Sequence, residues 1–336
     1  MFFQVADGHG GTHEIIYFCV LTMSRYLIIY FLSVFSFSNC YGVVFSTTDT
    51  SELGRLISAG FADIYNFKFN KADSLANELK KKYPGDKRIY LLIANSYWWK
   101  IHSGDDNAEN RKQFIAALNS AGSILALHAK NELPDEDLFY YINIYSYMAR
   151  LELLDDHYFK AFSFLNKCDQ YLFTSFGKEP VYEPFNLTTG LYNYSVVAAR
   201  KKYPLLIPFL AMLPAADKSA GIKMLVRCSG SSDRLLQTEG DYFLMLIYGE
   251  GDIDFPLSEK YAEKLCSQYP DNLLYRYYFF KTLLQDEKKA LAMKQYFFLF
   301  QSETQNGQLT PEQKKYFISL AQKDLETYYG KHPSDK

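Results

Sequence analysis

AGFADIYNFKFNKADSLANELKKKYPGD (Ala59–Asp86) is the stretch that decides the fold, and YGEGDIDFPLSEKYAEKLCSQYPDN (Tyr248–Asn272) repeats its pattern near the other end of the chain. In both, a small residue stands 12 positions before the proline, Ala72 before Pro84 and Ser258 before Pro270. A leucine stands 5 positions before it, Leu79 and Leu265. Proline removes a backbone donor and clashes with the preceding turn, so each Tyr-Pro marks the end of a helix. The small residue is where a second helix can approach closely. This spacing predicts a helix–turn–helix unit that buries its apolar face only by packing on the next unit. The expected fold is therefore all-α, a right-handed superhelical stack of antiparallel helix hairpins forming an α-solenoid.

Working outward, helical periodicity and stop signals give the remaining elements. Leu53–Phe67 and Lys71–Tyr83 make the first hairpin, and Arg88–His102 follows with Trp98-Trp99 straddling the edge of its apolar face. Asn110–Lys130 ends before Pro134, and Asp135–Leu154 opens on acidic residues, favourable at a helix N-terminus. Tyr158–Phe173 is its partner. Pro204, Pro208 and Pro214 interrupt the middle, which predicts a helix over 187–201, an irregular apolar connection, and a helix over 217–227. Gln237–Tyr248 and Leu257–Gln268 form the next hairpin. Leu273–Leu284, Lys288–Gln301 and Pro311–Tyr329 close the chain, with Thr310-Pro311 as a cap followed by proline in the first helical position. One domain is expected over 52–331, with an irregular proline-containing insert at about 177–216.

The 336 residues are 48% hydrophobic, enough for a sizeable core, and include 29 Tyr and 27 Phe against 2 Trp. Tyrosine can line helix seams while its hydroxyl reaches water or a carbonyl, so most rings read as packing. A net charge of -2 and the absence of a long basic stripe argue against nucleic-acid binding. From Met23 the chain reads MSRYLIIYFLSVFSFSNCYG: one arginine, an apolar run from Tyr26 to Phe37, then small and polar residues. That is the pattern of an export signal, here 23–42, preceded by residues 1–22 that read as an upstream start outside the native protein. Export to the periplasm or outer membrane is expected. Anchoring through residues 15–37 is the second possibility, and it would bury Arg25 at a cost of a few kcal/mol. Cys40 raises lipidation against an ordinary cleaved signal. Cys168, Cys228 and Cys266 are widely spaced and odd in number, and define no disulfide framework.

The two Tyr-Pro units resemble tetratricopeptide repeats. Ala59-Gly60, Phe69, Ala72 and Pro84 match the repeat's Ala-Gly, aromatic, Ala and Pro; Leu79 takes its second small position. In the later unit Phe255, Ser258 and Pro270 match. The central block FNLTTGLYNYSVVAARKKYP…AADKSAGIKMLVRC resembles bacterial envelope tetratricopeptide proteins. In Gly190, Tyr192, Asn193, Tyr194, Gly221 and Ile222 it also resembles eukaryotic outer-membrane tetratricopeptide proteins. The resemblance covers most of residues 55–285 and implies a scaffold or adaptor with a protein partner, no cofactor and no catalytic residues.

The residues themselves yield no catalytic constellation. His102, His128, His157 and His332 lack metal-ligand spacing, and His9–His13 falls within the upstream segment. Asp105-Asp106 and Asp155-Asp156 read as polar turns, and Ser229–Ser232 as a turn without a phosphate-binding lysine. The candidate site is Asn186, Tyr192, Asn193 and Tyr194, a polar cluster in an apolar, aromatic segment where each amide needs partners. Two readings stand: Asn193 closes a helix-to-loop hydrogen bond that fixes the insert, or the cluster lines a groove that contacts a protein. A different class of function, a small apolar or carbohydrate ligand or substrate in an aromatic-lined pocket, is the alternative.

Overall fold

Every regular element in the computed structural model is helical, over described residues 51–128, 133–202, 204, 207–305 and 308–332. The expected signal at 23–42, Cys40 and the His9–His13 segment lie outside the described residues. The helices are α1 (Glu52–Tyr65), α2 (Phe69–Lys82), α3 (Lys87–His102), α4 (Ala108–His128), α5 (Asp135–Leu154), α6 (Tyr158–Ser175) and α7 (Phe185–Lys202). After a single helical turn at Ile207–Leu210 come α8 (Lys218–Ser229), α9 (Arg234–Leu246), α10 (Phe255–Gln268), α11 (Leu273–Gln285), α12 (Lys289–Gln305) and α13 (Pro311–Lys331). Side-chain caps explain where many of them start. Asp86 accepts from the N–H of Arg88, Asp217 from Ser219 and Ala220, Asp233 from Leu235 and Leu236, and Asn272 from Tyr275. Thr310 and Gln313 form a reciprocal capping box ahead of α13.

Helices consecutive in the chain pack on one another, and α1 also reaches α3 while α11 reaches α13. Small residues set the closest approaches. A Cβ on Gly60 would lie 2.8 Å from a Leu92 methyl, which brings α1 and α3 together. On Gly221 it would lie 2.7 Å from the Gly190 carbonyl, and on Gly240 it would lie 2.5 Å from the Ser229 backbone nitrogen. The α7–α8 and α8–α9 crossings therefore have no room for a side chain there.

Packing is not confined to neighbours in the chain. The turn between α1 and α2 docks on the Tyr-Pro-Asp-Asn turn between α10 and α11: Asn272 Nδ2 donates to the Tyr65 carbonyl at 2.6 Å, and the Asp271 N–H donates to Asn66 Oδ1 at 3.0 Å. Tyr65 Oη donates to Glu239 Oε1 on α9 at 2.5 Å. The start of α13 joins the end of α3, where Gln313 Nε2 donates to Ser103 Oγ at 2.6 Å. The two Tyr-Pro units are thus in direct contact through their turns, an arrangement the linear reading of the repeat does not contain.

Trp98 and Trp99 depart from expectation for the same reason. Both are about 1% exposed, rather than lying at the edge of an apolar face. Trp98 stacks on Phe114 of α4 and meets Tyr147 of α5, while Trp99 meets Tyr65, Tyr242 and Tyr275 from α1, α9 and α11. The helix α3 is covered on opposite sides, so consecutive rings are both buried.

Candidate functional site

The sequence-selected cluster lies on α7, which runs between α8 and the α6–α7 connection. Asn186 is buried, and its Nδ2 donates to the Glu183 carbonyl at 2.9 Å. Tyr192 is buried against Phe173 and Phe176, with its hydroxyl donating to the Pro214 carbonyl at 2.7 Å. Asn193 Nδ2 donates to the Thr189 carbonyl at 3.0 Å, and its Oδ1 accepts from the Asp217 N–H at 2.8 Å. These bonds hold the C-terminal end of the insert, Pro214 and the cap of α8, onto α7. Tyr194 differs. Half-buried, it points its hydroxyl toward Gly251 and makes no hydrogen bond among the described residues; burial, with Asp252 adding to it, pushes its phenol up.

Two cavities flank α7. A small one of about 80 Å³ lies among α5, α6 and α7 and is lined by Asn143, Ser146, Arg150, Cys168, Asp169 and Tyr192, with aliphatic neighbours. Burial pushes the Asp169 carboxyl up to about 6, and the Tyr192 phenol beside it, also buried, up to about 12. The larger cavity, about 370 Å³, opens between the C-terminal half of α7 and the end of α9. Its walls are mostly aliphatic, and Tyr194 and Phe243 are its two rings. A larger group of rings, Tyr65, Phe67, Phe114, Tyr147, Tyr242 and Tyr275, is packed around the tryptophans of α3.

Asp106, Asp155 and His157 have polar partners. Arg111 bridges Asp106 at 2.5 Å and Asp155 at 2.6 Å, tying the two acidic turns together. Burial, with Arg150 nearby, lowers the His102 imidazole to about 3. His157 Nδ1 lies 2.9 Å from Glu152 Oε2. Among the described residues no group of His, Cys, Asp and Glu has the arrangement to hold a metal ion. Cys168, Cys228 and Cys266 are free, buried thiols. No described helix is long and apolar enough to cross a membrane.

One surface was not singled out from the sequence. On α12, Leu291, Phe297, Phe298 and Phe300 are exposed, Phe297 to 60%. Among the described residues the helix packs chiefly on α11 and α13. The Arg276 guanidinium stands 4.0 Å over the Phe298 ring. A recess of about 330 Å³ opens beside it, lined by Glu263, Cys266, Arg276, Phe279, Lys294 and Phe298. The signal was present as Tyr296-Phe297-Phe298-Leu299-Phe300, five successive apolar residues. At about 3.6 residues per turn such a run goes all the way round a helix, and two neighbours cannot cover it.

Comparison of the chain with protein-family models, curated proteins and solved structures yields no match.

Proposed function

We propose that this chain is a non-catalytic adaptor of the cell envelope, a tetratricopeptide-like superhelical stack that holds a protein partner on the exposed aromatic face of α12. That face is the observation that carries the reading. Contiguous exposed apolar surface is unusual on a monomer and marks an interaction site. On α12 that surface is made by Leu291, Phe297 and Phe300, each more than half exposed. Arg276 and Lys294 border the aromatic surface, opposed by Glu263. The partner is accordingly a segment that presents apolar side chains beside acidic ones, with one side chain seated in the recess next to Phe298. A central anchor of this kind, ringed by polar contacts, is how most binding energy is concentrated in protein interfaces.

Asn186, Tyr192 and Asn193 serve in this account to fix the insert and not to touch the partner. Export rests on the Met23–Gly42 sequence. A reporter fused to residues 23–45 that stays in the cytoplasm, while a known signal exports it, would remove the envelope location. The binding face is tested by capture from cells with the Phe297→Ser/Phe300→Ser variant. Loss of one dominant partner from a folded variant supports the reading, and unchanged capture rejects it.

A further inference from the structure

The larger cavity has the construction of a ligand site. One wall is α7 from its middle onward, contributing Leu191, Val197 and Ala198; the other is the end of α9 and the turn after it, contributing Phe243, Leu246 and Ile247. At Ile247–Gly251 the backbone leaves α-helical geometry for a π-helical turn, which is uncommon and concentrated at functional sites. That turn brings Gly251 under Tyr194: a Cβ on Gly251 would fall 2.2 Å from the tyrosine hydroxyl. The hydroxyl thus sits at an apolar cavity without an intramolecular partner among the described residues.

The charged groups around the opening are not balanced. Asp252 is paired with Lys218 at 2.6 Å, and Glu250 with Lys281 at 2.6 Å. Both carboxylates of the lining are therefore neutralised within the protein. Lys201 also lines the cavity and has no carboxylate partner among the described residues, with Lys202 beside it. Lysines in a last helical turn also offset the helix dipole, a role that needs no ligand. The combination with an aliphatic chamber of about 370 Å³ and a donor hydroxyl goes further than that role requires. Small-molecule sites share this make-up, apolar walls with a few placed polar groups.

From this geometry we propose that the cavity between α7 and α9 binds a small amphipathic anion, its apolar body between Leu191, Val197, Phe243 and Leu246 and its acidic head at Lys201 and the Tyr194 hydroxyl. The site is separate from the α12 face and stands or falls independently of the partner reading. Calorimetric titration of the purified chain with decanoate, and in parallel with decylamine, tests it. Saturable binding of one decanoate per chain is expected, at least tenfold tighter than decylamine. Lys201→Gln removes one exposed charge and should weaken decanoate at least tenfold while moving the melting temperature no more than a surface substitution does. Ala198→Phe fills the chamber and should weaken it by as much. Equal affinity for the two amphiphiles, unsaturable binding, or a decanoate affinity unmoved by both variants would overturn the assignment.

Discussion

The aromatic runs of α3 and α12 meet opposite fates. On α3, Tyr97-Trp98-Trp99 lies between helices on both sides, and the two indoles are buried facing opposite ways. On α12, Leu299 is buried while Phe297, Phe298 and Phe300 remain exposed. An apolar run longer than one helix face can be satisfied in two ways. Either the fold surrounds it or something outside the chain does. The first case builds the centre of this molecule, and the second, in the account given above, builds its interface.

The comparison breaks most easily at α3. Trp99→Ala should cost about 3–5 kcal/mol, the range for emptying a large aromatic from a core, read as a drop in the urea midpoint. A loss under 1 kcal/mol would mean that α3 is not surrounded. Next comes Gly240→Val, where the new side chain meets the Ser229 backbone; forcing α8 from α9 should cost about 1–3 kcal/mol. Preserved stability there would show that the crossing has slack.

A pH effect sharpens the picture at the end of α3. His102 is held neutral by burial, its pKa lowered to about 3 from an ordinary value near 6.5. The unfolded chain takes up a proton that the folded chain resists, so stability is full above about 6.5 and declines as pH falls from there toward 3. Urea unfolding at pH 7 and pH 5 should show a smaller loss in His102→Gln than in the parent chain, and an equal loss would place the imidazole in water. The smallest effect on stability belongs to α12: Phe297→Ser should change it by no more than about 0.5 kcal/mol, as surface substitutions do. A loss comparable to that of Trp99→Ala would make Phe297 part of the core and dissolve the contrast.

Much of the helical order was legible because it is written in local chemistry. Asp135–Leu154 is bounded by Pro134 and Asp155-Asp156, and Pro311 follows its Thr310 cap, so these limits needed no tertiary information. The single helical turn at Ile207–Leu210 and the π-helical turn at Ile247–Gly251 were not legible, since neither has a local composition that separates it from loop or α-helix. The contact of the two Tyr-Pro units was also hidden. Tyr65 and Glu239 are 174 residues apart, and nothing in either segment names the other. A trace existed in RLLQTEGDYFLML, where an acidic residue sits among residues that bury their side chains and must therefore find a donor. Of the candidate cluster, the need of Asn193 for two partners was readable, while the different role of Tyr194 depends on Gly251 across the cavity.

Cross-linking from α12 measures directly whether that surface is occupied in the cell. A photoreactive residue placed at Phe297 should yield one protein adduct in intact cells, its mass showing whether the partner is another protein or a second copy of this chain. The same residue at Lys323 on α13 should yield none. An adduct from both positions, or from neither, would contradict the claim that the aromatic face of α12 is where this protein meets its partner.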